Sequence, residues 1–156
     1  MKIVIIGAGI IPNTEIAEEA GIDCNNGISV DEFGLTSHED IYACGDCTNH
    51  PNKLLGKNLR LESVHNAMEQ AKTVAGSING NPSEYNQIPW FWSDQYDLKL
   101  QMAGISNGYD ECHIIGDIDL AEFIACYGKN GYLIAVDSVN QSKQFMLFKK
   151  ALGNGF

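Results

Sequence analysis

The sequence predicts an α/β region followed by an α+β region, and three observations carry that reading. Strand-like apolar runs and a helix with a clear 3.6-residue period occupy the first half of the chain. The turn formers Asn79-Gly80-Asn81-Pro82-Ser83 then mark a linker. Beyond it lie short strand-like runs, two of them joined by Gly128-Lys129-Asn130-Gly131, which reads as a hairpin with glycine in the turn. The division falls between residues 1–80 and 88–156.

Taken in order, Ile3–Ile6 reads as a buried parallel strand running into Gly7-Ala8-Gly9, and Thr14–Ala20 as a short helix. A lone G-x-G is weak evidence for a phosphate-binding turn. Its third fingerprint position is Pro12, and the acidic first turn that follows would repel phosphate. Strands are expected near Ile28–Val30 and Ile41–Ala43. The latter stops at Gly45-Asp46, which puts a carboxylate at the carboxyl end of a strand, where open α/β sheets bind ligands. Gly45 has no Cβ and lets a ligand approach the backbone, while Asp46 can accept hydrogen bonds from a polyol. For the dipeptide alone, an ordinary Gly-Asp turn is the weightier reading.

The second helix is expected over Ser63–Ile78, with Val64, Ala67, Met68, Ala71, Val74, Ala75 and Ile78 as its core-facing stripe. Ser63 is the N-cap and Gly80 the stop, so the Val64 amide lies at the positive end of the helix dipole. That end stabilises an electron-rich ring by about 0.3–1 kcal/mol. Further strands follow near Leu98–Ala103, Cys112–Gly116, Glu122–Tyr127 and Tyr132–Asp137. A helix after Asn140 has Phe145, Met146, Phe148 and Leu152 as its candidate apolar face. Trp90 and Trp92, alternating with Phe91, fit the core of a strand, one of the pair at least.

With 156 residues and 44% apolar composition, the chain can form a core. A net charge of −10 disfavours nucleic acid and anionic membranes as partners. No apolar run reaches the roughly 18 residues of a membrane span, and the apolar start, with its glycines and Pro12, is unlike a secretory signal. A cytoplasmic location is expected. Five cysteines, an odd number, argue against a disulfide framework. Cys44-Gly45-Asp46-Cys47 spells C-x-x-C but opens no helix, so no redox dithiol is expected. His38, His50, His65 and His113 are scattered without ligand spacing to the cysteines, so no metal is expected either.

The motifs are more specific than any single dipeptide. T-S-x-x-D-I-Y-A-x-G-D-C from Thr36, R-L-E-S-V-x-N-A-x-x-Q-A from Arg60, and P-W-F-W-S-D-Q-Y-D-L-K-L-Q from Pro89 occur in that order. Together with G-Y-D and A-V-D-x-V-N they resemble the FAD-dependent ferredoxin and rubredoxin reductases, the putidaredoxin reductase-like family related to apoptosis-inducing factor. The resemblance runs from about Gly9 to Lys150. It implies half of a doubly wound FAD domain, partial here, followed by the carboxy-terminal reductase domain on an antiparallel sheet. It also implies that Gly45 and Asp46 meet the ribityl and pyrophosphate region of FAD, that the Val64 amide faces the flavin pyrimidine, and that Trp92 packs near the isoalloxazine. The implied cofactors are FAD and NAD(P)H, and no side chain need act as a catalytic acid or base.

The implied partner is an acidic iron–sulfur protein, a ferredoxin or rubredoxin. Lys53, Lys57 and Arg60, read as lying on the loop before the second helix, are its candidate docking site, against the plainer reading of a solvated loop. G-x-G-I-I-P-N-T-E-I-A-E-E-A-G resembles the segment leaving the nicotinamide domain. The chain is therefore expected either to begin at the last strand of that domain or to carry an internal deletion between Gly9 and Ile11. Two functions stay open: part of an NAD(P)H:ferredoxin or rubredoxin oxidoreductase, or a non-catalytic remnant or interaction module lacking a complete cofactor site. The isolated chain is expected to be inactive and to self-associate through its apolar edge, Ile3–Ile6 above all.

Overall fold

The structure is a computed structural model and describes residues 2–53 and 55–154. It divides into two compact units, one of residues 1–61 and 70–85, the other of residues 62–69 and 86–156.

The first unit is made of short elements. Helix α1 spans Glu15–Glu19 and buries only Ala17. Strand β1 (Ile28–Ser29) pairs in parallel with β2 (Thr48–Asn52), and β2 pairs antiparallel with β3 (Lys57–Leu59). Two expected strands did not form. Residues Ile3–Ile6 lie outside regular structure, and Ile5 is 92% exposed, because a parallel strand needs a neighbouring ladder and among the described residues none pairs with this run. Ile41–Ala43 makes only one isolated bridge, Leu35 to Tyr42, flanked by the bonds Thr36 N–H to Ile41 O and Ala43 N–H to Gly34 O. The opposing segment turns too soon for a strand: Asp31 Oδ1 accepts the Phe33 and Leu35 amides at 2.8 and 2.9 Å and bends the chain into an Asx turn.

Helix α2 spans Val64–Ile78, starting where the sequence places it: Ser63 Oγ accepts the Asn66 amide at 3.1 Å as an N-cap. Its expected core-facing stripe is corrected. Val64, Met68 and Ile78 are exposed at 60%, 55% and 66%, whereas the polar residues Asn66, Gln70 and Thr73 are buried. These fall at i, i+4 and i+7, so the period was right and the face wrong. In the first unit that polar face bonds loop backbone: Ser77 Oγ donates to Phe33 O at 3.2 Å and Gln70 Oε1 accepts from the Gly45 amide.

The second unit has a five-stranded antiparallel sheet in the order β4-β5-β8-β7-β6. The strands are β4 Trp90–Gln95, β5 Leu98–Gly104, β6 Glu111–Asp117, β7 Glu122–Lys129 and β8 Tyr132–Val139. Strands β4–β5, β6–β7 and β7–β8 are hairpins, while β5 pairs with β8 across the sheet; between β7 and β8, Asn130 (φ 52) and Gly131 (φ 80) supply the two positive φ angles of a type I′ turn. Helix α3, Ser142–Asn154, packs on β8 and β5. The core gathers Ala103, Ile124, Cys126, Val136, Phe145 and Leu152, with Ile88, Trp90, Leu133 and Phe148 around it. Of the face expected for α3, Met146 is the exception: it is 51% exposed, lying next to the core-facing stripe of buried Phe145 and Leu152 and half-buried Phe148 rather than on it.

Candidate functional site

Each unit contributes candidate residues. In the first, Gly45 and Asp46 form a turn just past the Leu35–Tyr42 bridge rather than the end of a strand. Gly45 is buried with φ 89, a conformation glycine adopts without strain, and Asp46 is exposed. Three groups hold the turn. Gln70 Oε1 accepts the Gly45 N–H at 2.6 Å, the Thr48 hydroxyl lies 2.8 Å from both Gly45 O and Gln70 Oε1, and Arg60 Nη1 donates to Asp46 O at 3.2 Å.

The expected basic loop is a hairpin instead: Lys57 starts β3, and Asn52 Oδ1 accepts the Leu55 amide inside the connection. Lys53 pairs with Glu84, and Arg60 also bonds Asn26, so two of the three cations are engaged within the unit while Lys57 is exposed. Burial pushes the Cys44 thiol up, and Cys47 pushes it further the same way. Both effects oppose thiolate formation at the C-x-x-C.

In the second unit, Val64 occupies the first turn of α2, where an N–H has no acceptor within the helix. Its neighbour His65 meets Trp90 edge-on at 5.2 Å, and Trp90 meets Trp92 at 5.1 Å with the rings tilted by 45°. Lys149 sits over the Trp90 ring, 3.6 Å from its centroid. Burial pushes the Lys149 ammonium down, and Glu69 partly restores it. Trp92 is 40% exposed, so this ladder ends in an accessible indole. Of the two tryptophans, Trp90 is the one packed against the core.

The sequence reading missed Gln70, His65 and Lys149. Gln70 was hidden because an amide inside a helical period reads as surface. His65 carried one signal, its place directly after Val64 at the helix start.

Two family profiles match the chain in tandem: the pyridine nucleotide-disulphide oxidoreductase family over residues 1–71 and the reductase C-terminal family over residues 90–156. A ferredoxin reductase subunit of 5,5'-dehydrodivanillate O-demethylase from Sphingobium sp. (strain NBRC 103272 / SYK-6) is 44% identical over 92% of this chain and 35% of its own length. Putidaredoxin reductase CamA of Pseudomonas putida is 39% identical over 96% of this chain and 36% of its own length. The chain thus spans about a third of these curated relatives. Among solved structures, the covalent putidaredoxin reductase–putidaredoxin complex superposes with a TM-score of 0.88 at 39% identity, covering 92% of this chain and 34% of that one. No described helix is long and apolar enough to cross a membrane. In sequence order and in fold, the chain belongs to the ferredoxin and rubredoxin reductase family and corresponds to the carboxy-terminal portion of its members.

Proposed function

We propose that the chain is part of an FAD-dependent NAD(P)H:ferredoxin or rubredoxin oxidoreductase. The observation that carries this reading is the tandem of family matches, residues 1–71 and then 90–156, over a chain with a bare glycine turn and an open helix start. When bound, the flavin supplies the redox chemistry, accepting hydride from nicotinamide and passing electrons singly to an iron–sulfur protein.

The residues present fit that group. Gly45 carries no Cβ, although its own N–H and C=O are taken up by Gln70 and Thr48, and Asp46 offers an exposed acceptor for ribityl hydroxyls. The Val64 N–H favours negative charge at the pyrimidine edge, where a reduced flavin gathers it. Trp92 offers half-exposed aromatic area to the isoalloxazine. None of these side chains acts as an acid or base. The iron–sulfur partner is acidic and docks at the β2–β3 hairpin, with Lys57 as its exposed cation.

A chimera in which this chain replaces the matching third of putidaredoxin reductase tests the reading. It is expected to retain flavin, and Asp46→Ala in it to weaken FAD retention on the order of tenfold, the scale of a lost charge-assisted hydrogen bond. Trp92→Leu should shift the bound flavin's absorption band. A folded chimera that takes up no flavin overturns the assignment.

A further inference from the structure

The first unit has a small, partly open cavity between Val30, Asp31, His50, Gln70, Thr73 and Tyr85. Two of its walls are buried polar side chains, His50 at 1% exposure and Gln70 at 4%. The orientation of Gln70 is set by the Gly45 amide, which can only donate, so the atom 2.6 Å away is the acceptor Oε1. Its Nε2, with two hydrogens, then faces elsewhere. That nitrogen and both ring nitrogens of His50 have no hydrogen-bonding partner among the described residues. Buried polar groups are rarely left so. Burial pushes the His50 imidazolium down, with the Thr48 backbone partly opposing, so the ring is neutral near pH 7 and one nitrogen is an acceptor. Tyr85 meets that ring edge-on at 5.0 Å and limits its rotation.

The cavity leaves about 10 Å³ for the centre of a water molecule. That is the room one water needs, roughly 10–15 Å³, and too little for an organic ligand. One water there would accept from Gln70 Nε2 and donate to the imidazole nitrogen, satisfying two groups that make no bond to each other.

We propose that one water molecule occupies this cavity and bridges Gln70 Nε2 to His50, making His50 and Gln70 joint positioning residues for the Gly45 amide. The Gln70 amide plane is then held at both ends, by water on one side and by the Gly45 N–H on the other. The Gly45-Asp46 turn inherits that rigidity. Its importance for cofactor binding rests on the flavin reading above; the water and the anchoring do not.

The test therefore uses the chain without flavin. Amide hydrogen exchange at Gly45, followed by NMR, is the readout, with the Thr36 amide, bonded to Ile41 O, as an internal reference. His50→Phe, which fills the cavity with carbon, should speed Gly45 exchange on the order of tenfold relative to Thr36. His50→Asn, which restores a polar partner, should return it towards the parent rate. Unchanged Gly45 exchange in a folded His50→Phe protein overturns the proposal. Should that variant fail to fold, water-to-protein cross-relaxation at the Gln70 side-chain amide of the unaltered chain decides instead: a long-lived water supports the bridge and a dry cavity ends it. Neither readout changes if the chimera above fails to bind FAD.

Discussion

The two units solve the folding problem with different materials. The second is built from long strands and an apolar seam, with Phe145, Ile124 and Val136 each fully buried. The first has strands of 2, 5 and 3 residues, and its buried set includes Thr36, Thr48, Asn49, His50, Asn52, Gln70 and Thr73. There, side chains satisfy loop backbone that no sheet ladder reaches: Asp31 for Phe33 and Leu35, Gln70 for Gly45, Ser77 for Phe33. The difference shows what an unladdered loop demands. Backbone that no sheet pairs still needs partners for its polar groups, and here side chains of the loop itself and of α2 supply them.

The largest test of that contrast is Phe145→Ala. Phe145 is 0% exposed at the centre of the second unit's core, and its loss should destabilise that unit by about 3–5 kcal/mol through lost burial and the cavity left behind. If the units are distinct in what holds them, denaturant melts should separate into two transitions, with tryptophan fluorescence from Trp90 and Trp92 reporting the earlier one. A single coincident transition would break the comparison, since it would mean the polar unit falls with the apolar one.

How much of this was legible in the sequence follows the same divide. The second unit's elements could be read because period-2 runs and the Asn130-Gly131 turn encode strands locally, and because Phe145 and Leu152 fall on one helix face. The first unit resisted. Thr48-Asn49-His50-Pro51-Asn52 has low strand propensity and a proline, yet forms β2, because β1 pairs with Thr48 and Asn49 and β3 with the stretch from His50 to Asn52. Ile3–Ile6 has every local mark of a strand and forms none, since pairing is not a local property. On α2 the apolar stripe pointed to the wrong face: what is buried there is chosen by hydrogen bonds to distant loops, which periodicity does not register. The candidate residues Gly45, Asp46, Val64 and Trp92 were named through motif order, while Gln70, which holds Gly45, needed three dimensions.

A smaller effect is expected where the apolar unit carries a polar bond of its own. Tyr127 donates to Asp137 Oδ2 at 2.9 Å across β7 and β8. Burial and that bond push the Tyr127 phenol up to about 12, while burial pushes Asp137 up and the Tyr127 bond pulls it back. Tyr127→Phe should cost about 1.5–3 kcal/mol at neutral pH, the range for a hydrogen bond to a charged group. The sign with pH follows from proton binding. The folded chain keeps the phenol proton where the unfolded chain loses it, so this contribution is complete below pH 10 and declines between 10 and about 12. Asp137 likewise contributes most below its ordinary 3.8 and less as pH rises through its raised value. The parent's stability should therefore bend downward above pH 10, and the variant should lack that bend. Parallel curves for the two proteins across the alkaline range would show the bond to be idle.

The smallest expected change asks whether the polar unit depends on charge or only on geometry. Asp31 Oδ1 accepts both the Phe33 and the Leu35 amides, and the side chain is only partly buried. Asp31→Asn keeps an oxygen in that position and can preserve the Asx turn, so the bonds persist and only their charge assistance is lost. Charged acceptors exceed neutral ones by about 1 kcal/mol, which sets the expected loss. Protease cleavage within residues 31–36 is the sensitive readout, because opening of this turn exposes the backbone that the bridge from Leu35 to Tyr42 otherwise closes. A several-fold faster cleavage in Asp31→Asn, with the β7–β8 hairpin unaffected, would place charge among the forces holding the first unit. Equal cleavage would mean that oxygen geometry alone holds the turn, and the contrast between the units would then be one of hydrogen-bond placement rather than of electrostatics.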